Sequence, residues 1–208
     1  MNKDRMEAFS DGVLAIVITI MVLELRTPEQ ATWAGMLAVL PTFLSYLLSF
    51  VYVGIYWNNH HHMVQLAGRV NGAILWANLH LLFWLSLFPF TTRWMDEAGL
   101  VQVPVLVYGV NLLLAAVAYY ILQTALIRQQ GRDGALAQAI GGDWKGRLSP
   151  VIYVVGLGLT LIHPLLGVAA YTVVALIWLV PDRRVEHYVS RLSDPTSDPD
   201  PNEPQPRS

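Results

Sequence analysis

Long runs of apolar residues alternate with short polar segments along most of the chain. A helix needs about 20 mainly apolar residues to cross the hydrocarbon core of a bilayer. The pattern predicts six such helices, over roughly residues 5–25, 35–57, 70–92, 101–126, 148–163 and 165–181. The last two share one apolar run divided at His163-Pro164, so they are either two tilted spans or one re-entrant hairpin. We favour two spans, although segments of about 16 residues are near the lower limit for crossing.

Polar residues, Pro and Gly mark the connections and the end of the chain. The predicted loops are at 26–34, 58–69, 93–100 and 127–147. No repeat of long period is visible, so residues 1–192 are predicted to form one six-helix transmembrane unit. Residues 193–208 are rich in Asp, Pro and Ser and offer too little apolar surface to fold, so they are predicted to be a disordered cytoplasmic tail.

The distribution of basic residues predicts the orientation. If the N-terminus is cytoplasmic, the cytoplasmic segments hold Lys3, Arg5, Arg69, Arg128, Arg132, Lys145, Arg147, Arg183, Arg184, Arg191 and Arg207. The opposite side holds only Arg26 and Arg93. Because basic residues are enriched in cytoplasmic loops, both termini are predicted to lie in the cytoplasm.

Composition excludes several classes of protein. Hydrophobic residues make up 54% of the chain and charged residues 13%, about half the charged share of an average soluble domain. The 13 basic residues form no cluster that would neutralise a phosphate backbone, so no nucleic-acid partner is predicted. The chain has no Cys and no sequence motif of nucleophilic, phosphate-binding or zinc chemistry, so we predict that it is not an enzyme.

The first predicted helix carries an acidic residue at its edge. Charge within a membrane is costly and usually faces protein, so Asp11 is predicted to be a structural latch. The residues that follow are apolar all round, and periodicity alone does not select a face. On a helical wheel Gly12, Ile16, Ile20 and Leu23 share one stripe, with Thr19 beside it. Asp11 lies about 140° from Ile16, away from that stripe.

Several short motifs resemble those of the endolysosomal potassium channel family and its prokaryotic homologues. The first is Arg5-x-x-x-Phe9-Ser10-Asp11-Gly12, followed by Val-Leu-Ala-Ile-Val-Ile-Thr-Ile. The others are Tyr56-Trp57-x-x-His60-His61, Asn78, Phe88-Pro89-Phe90-x-Thr92, Tyr108 and Asn111. The resemblance covers the whole chain apart from the tail, and a single six-helix unit is typical of prokaryotic members.

This resemblance implies a potassium-permeable cation channel without a T-V-G-Y-G filter, and the chain has none. It further implies a homotetramer in the plasma membrane of a prokaryote, with the first helix of each subunit around a central pore. By position, Ile16, Ile20 and Leu23 would line the pore, with Thr19 nearby. Rings of branched side chains would form a hydrophobic gate that closes by dewetting. The permeant ion would be K+, and no cofactor is expected.

The remaining motif residues are interpreted as scaffold. The residues expected to hold the first helix against the second and third are Arg5, Ser10, Asp11, Trp57, His60 and Asn78, with Phe9, Gly12 and His61 completing the motifs. Arg5 is a difficulty, because the wheel places it on the pore side.

A second hypothesis is a proton- or cation-coupled transporter that uses Asp11 and the cluster His60–His62 as a relay. No charge lies in the middle of any predicted span, which argues against it. Three consecutive His on a helix point about 100° apart and do not converge on one ion, so no metal site is predicted.

Overall fold

The computed structural model describes residues 3–131, 134–141 and 144–179. These residues form α-helices and no strands, which confirms the predicted all-α class. In chain order the helices are α1 (Lys3–Leu23), α2 (Trp33–Ala38), α3 (Leu40–Gln65), α4 (Gly72–Ser86), α5 (Phe88–Glu97), α6 (Gln102–Gln130), α7 (Ala135–Ile140), α8 (Trp144–Ile162) and α9 (Pro164–Leu179).

Five segments of the described residues are long and apolar enough to cross a membrane. They are Lys3–Leu23, Leu40–Gln65, Gly72–Glu97, Gln102–Gln130 and Trp144–Ile162. The sixth predicted span corresponds to α9, whose 16 residues extend about 24 Å. A separate helix on each side of His163 fits two spans or a hairpin, so that prediction stays open. The predicted tail at 193–208 lies outside the described residues.

Several predicted boundaries are wrong. The second predicted span continues as α3 to Gln65. Most of the predicted loop 58–69 is therefore helical, and His60–His62 lie on α3. Similarly, α5 extends to Glu97, and the predicted loop 127–147 contains α7. A run of polar residues ends an apolar pattern, but it does not by itself end a helix, because the backbone hydrogen bonds of an α-helix form whatever the polarity of the side chains.

The third predicted span is interrupted. Helix α4 ends at Ser86 and α5 begins at Phe88, with Leu87 between them. Pro89 stands in the first turn of α5, where its missing N–H costs no helical hydrogen bond. Pro41 has the same position at the start of α3, which separates α3 from α2. Both breaks follow from proline, because proline tolerates a first turn far better than a helix interior.

Helix α6 lies at the centre of the helix bundle and packs against α4, α5, α8 and α9. The close approach of α6 and α9 requires a glycine at position 109. A Cβ added at Gly109 would lie 2.0 Å from the hydroxyl oxygen of Tyr171. Helix α1 lies at the periphery, where it contacts α3, α4 and α5. One side of α1 therefore packs against α3, α4 and α5 of the same chain, and the opposite side is exposed.

Candidate pore helix and its polar contacts

Helix α1 has two distinct faces. The face toward the subunit carries Met6, Ser10, Leu14, Val17 and Met21, all buried. The stripe singled out from the wheel lies away from it: Ile16 is 59% exposed, Ile20 41% and Leu23 81%. Large branched side chains on the free side of a spanning helix require an apolar environment, which is lipid or another copy of the subunit.

Two further residues belong to this exposed side. Thr19 is exposed, and its hydroxyl donates to the backbone carbonyl of Ile16 over 2.9 Å. The hydroxyl oxygen of Thr19 therefore keeps its lone pairs free to accept a hydrogen bond or contact a cation. Gly12 is exposed as well, and a Cβ built there would have no atom within 4 Å.

A buried chain of hydrogen bonds holds α1 from behind. The amide nitrogen of Asn78 donates to the hydroxyl oxygen of Ser10 over 2.9 Å, and that hydroxyl donates to the carbonyl of Met6. The amide oxygen of Asn78 lies 2.7 Å from Nε2 of His60. Because an amide oxygen only accepts, Nε2 of His60 carries the proton. Asn78 of α4 thus joins α1 to α3 in the buried interior of the chain.

Two acidic side chains of α1 contact α3 directly. The indole N–H of Trp57 donates to Oδ1 of Asp11 over 3.0 Å. The carboxylate of Glu7 lies 2.7 Å from Nδ1 of His61, and the side-chain amide of Gln65 donates to the other ring nitrogen of His61. The sequence suggested a capping box for Glu7 with Asp4 and did not predict the contact between Glu7 and α3. Glu7 lies four residues before Asp11, one turn away, and that spacing was the available signal.

The structure does not bring every motif residue into this cluster. Arg5 is exposed and makes no hydrogen bond or ion pair within the described residues. Phe9 is also exposed, close to the Ile16 stripe. The three consecutive His residues diverge: His60 and His61 have different partners, and Nδ1 of His62 is buried without one. No group of residues suited to a metal ion occurs in the described part of the chain.

The far end of α1 is fixed by charge. A guanidinium nitrogen of Arg93 lies 2.6 Å from the carboxylate of Glu24, just beyond α1. Glu97 pairs with Arg93 over 3.0 Å and with Arg26 over 2.5 Å. Two acidic and two basic side chains therefore balance at this end, and they join the exit of α1 to α5.

A second buried group of hydroxyls joins α3, α5 and α6. The hydroxyl of Ser49 lies 2.7 Å from that of Thr92 and 3.0 Å from that of Tyr108. Beside it the amide of Asn111 donates to the hydroxyl of Thr91 over 3.4 Å. The motif residues Thr92, Tyr108 and Asn111 therefore form hydrogen bonds that join α3, α5 and α6. Asn78 belongs instead to the network behind α1, and Phe90 is exposed.

Comparison with known proteins finds one matching family and several similar proteins. The family described as endosomal/lysosomal potassium channel TMEM175 matches residues 5–89. A potassium channel of Chryseobacterium sp. (strain P1-3) is 53% identical over 186 residues, covering 89% of this chain and 97% of that protein. The mouse endosomal/lysosomal proton channel TMEM175 is 30% identical over 95 residues, which are 43% of this chain and 19% of that protein.

Among solved structures, the crystal structure of a lysosomal potassium-selective channel TMEM175 homologue from Chamaesiphon minutus matches with a TM-score of 0.73 and 30% identity. The match covers 88% of this chain and 97% of that one. This chain is a multi-helix membrane protein of the channel class. It belongs to the TMEM175 potassium channel family, which confirms the predicted family and the prediction of a channel instead of an enzyme.

Proposed function

We propose that four copies of this chain surround a central pore for potassium ions, lined by the exposed stripe of α1. The two-faced character of α1 is the observation that carries the proposal. Its buried face is bound to α3, α4 and α5, while Ile16, Ile20 and Leu23 point away from the subunit. A closed ring of copies gives that stripe one shared environment at the axis.

The residues of the stripe define a hydrophobic constriction. Rings of Ile16, Ile20 and Leu23 offer an ion no oxygen atoms to replace its lost hydration shell, so a narrow ring is a barrier even where it is not fully occluded. Opening then requires the rings to widen or rotate. The rigid contacts behind α1, through Asn78 and Asp11, make movement of the whole helix the simplest route.

Selectivity would come from dehydration together with Thr19. Potassium loses its hydration shell at lower cost than the smaller sodium ion. The exposed hydroxyl oxygens of four Thr19 side chains, each oriented by a bond to the carbonyl of Ile16, supply weak replacement ligands next to the constriction. The distribution of basic residues favours an orientation with the N-terminus in the cytoplasm. The single six-helix unit and the similarity to a potassium channel of Chryseobacterium sp. favour the plasma membrane of a prokaryote.

Ion flux into liposomes that contain the purified protein tests this function. We expect potassium to enter faster than sodium, and a large organic cation not to enter. The mass of the detergent-solubilised complex should equal four chains. A monomer contradicts the central pore, because one helix cannot enclose it. Flux that is absent both in the wild-type protein and in the Ile16→Asn variant, whose constriction would be polar, would favour the transporter that uses Asp11 and His60–His62.

Asp11 is expected to act on assembly more than on selectivity. Replacing Asp11 by Ala removes the acceptor of the Trp57 indole, which ties α1 to α3. A hydrogen bond to a charged group contributes about 1.5–3 kcal/mol, so the thermal stability of the tetramer should fall. Asp11→Asn is the matched control, because its amide oxygen still accepts. A stable Asp11→Ala tetramer that loses only its preference for potassium would contradict the latch.

A further inference from the structure

An ionisable side chain faces outward from the middle of α4. His80 is exposed, and about 12 Å of helix separate it from the start of α4 at Gly72. Its neighbours on the same face are the exposed aromatic residues Trp76 and Phe83. Ionisable residues within a membrane almost always face protein or water and seldom face lipid. In an isolated subunit His80 has neither on this side.

The hydrogen bonding of His80 shows which atom lacks a partner. The indole N–H of Trp84 lies 2.9 Å from Nε2 of His80, and an indole nitrogen only donates. Nε2 therefore accepts, and the ring proton is on Nδ1. Nδ1 has no acceptor within the described residues. An N–H donor without an acceptor is costly in hydrocarbon. An acceptor atom from outside this copy of the chain would therefore stabilise the Nδ1–H of His80.

A complementary group is exposed on α3. The side-chain amide of Asn58 is exposed and has no hydrogen-bond partner among the residues that the structure describes. Its amide oxygen accepts and its nitrogen donates, so it can receive the ring proton of a His. Asn58 lies one residue beyond Trp57, on the side of α3 opposite to the buried His60.

The bond between His60 and Asn78 shows that Asn58 and His80 lie at the same depth. Helices α3 and α4 run in opposite directions through the membrane, and that bond fixes residues 60 and 78 at one level. Asn58 is two residues before His60, and His80 is two residues after Asn78. Each is therefore displaced by about 3 Å in the same direction along the membrane normal.

The two groups lie on opposite sides of their own subunit. His60 and Asn78 point toward each other, whereas Asn58 and His80 are each about 160° around their helices from those residues. Two different patches on opposite sides are what a ring of identical subunits requires, because each interface joins one patch to the other. Both helices also pack directly against α1, so an interface between them would bring the α1 helices of adjacent copies close together.

We propose that the side of α3 around Asn58 and the side of α4 around His80 are the two halves of the interface between adjacent copies of this chain. Nδ1–H of His80 donates to the amide oxygen of Asn58 in the next copy. Trp76 and Phe83 of α4 pack against α3 of the next copy beside this bond. The inference rests on the proposed tetramer and adds to it the surface through which the tetramer forms.

Pairs of introduced cysteines test the interface directly, because the chain has no Cys of its own. In the double variant Asn58→Cys, His80→Cys, a short thiol cross-linker should yield dimers, trimers and tetramers on a denaturing gel. The control pair Asn58→Cys, Val154→Cys places the second thiol on the exposed face of α8, about 15 Å from its start, and should yield monomers. Either single variant should also remain monomeric on the gel.

The possible failures are distinguishable. A double variant that elutes as a tetramer and conducts potassium, but cross-links no better than the control pair, overturns the interface and leaves the channel intact. A wild-type protein that is monomeric in detergent and in liposomes overturns both.

A second measurement does not depend on cysteines. Interhelical hydrogen bonds in membranes contribute on average enough to change an association constant about threefold, so four contacts change tetramer formation roughly 80-fold. The equilibrium constant for tetramer formation, measured from dissociation on dilution, should therefore be about 80-fold lower for the Asn58→Leu variant than for the wild type. In the His80→Phe background the same substitution should add nothing. Additive effects of the two substitutions would contradict a shared hydrogen bond.

Discussion

Replacing Ile16 by Asn should make the channel leak. Ile16 is 59% exposed on the free side of α1, and four copies would place a ring of amides where the proposed constriction has only hydrocarbon. Amides hold water, and a wetted ring supplies oxygen atoms to an ion that has lost part of its hydration shell. A barrier lowered by only about 1.4 kcal/mol raises the rate about tenfold, so potassium flux into liposomes should rise by at least that factor.

Ala15→Asn is the matched control for this prediction. Ala15 is on the same helix at the same depth and is also exposed, but it is turned about 100° from Ile16. It receives the same polar side chain one turn below Thr19, at the edge of the exposed side and outside the ring of Ile16, so any rise in its flux should be much smaller than that of Ile16→Asn. Equal leaks from the two variants would show that the stripe does not define the pore. An unchanged flux in a folded Ile16→Asn tetramer would remove Ile16 from the gate.

The sequence alone did not predict which face of α1 packs against the rest of the chain. The residues from Val13 to Leu23 are apolar on every side except at Thr19, so their periodicity does not separate a packed face from a free one. The family resemblance selected the stripe of Ile16, and the structure buries the other side of the helix through Leu14 and Val17. Packing against α3, α4 and α5 supplies the asymmetry that hydrophobicity alone lacks.

Ion pairs between residues far apart in the chain could not be predicted from the sequence, for a different reason. Glu7 pairs with His61, and Arg26 pairs with Glu97. Each pair joins residues far apart in the chain, and any acid could have matched several bases before the packing of the helices was known. The break at Leu87 was different, because Pro89 marks it locally and the apolar run merely concealed it.

Among the buried polar residues that contact α1, Asn78 is expected to be the one whose replacement costs most stability. It is 2% exposed, donates to Ser10 of α1 and accepts from His60 of α3. Replacing it by Leu leaves the ring N–H of His60 without an acceptor, beside an Nδ1 that already has no partner. A buried polar group that loses its partner costs about 1–3 kcal/mol. The loss of the Ser10 contact adds to this, so we expect Asn78→Leu to lower the stability of the folded channel by about 2–4 kcal/mol.

Asn111→Leu is the control that separates the network from the mere loss of a buried amide. Asn111 is 3% exposed, in a neighbouring span, but its amide oxygen has no partner and its one donated bond, to Thr91, is 3.4 Å long. The Thr91 hydroxyl still donates to the carbonyl of Leu87 after the change. Replacing Asn111 therefore removes an unsatisfied acceptor and leaves none behind, and its cost should stay below about 1 kcal/mol. Thermal unfolding of the two purified variants measures the difference. Equal losses would show that Asn78 contributes only its packing volume, and that α1 is held in place by its apolar contacts instead of by the hydrogen bonds to Ser10 and His60.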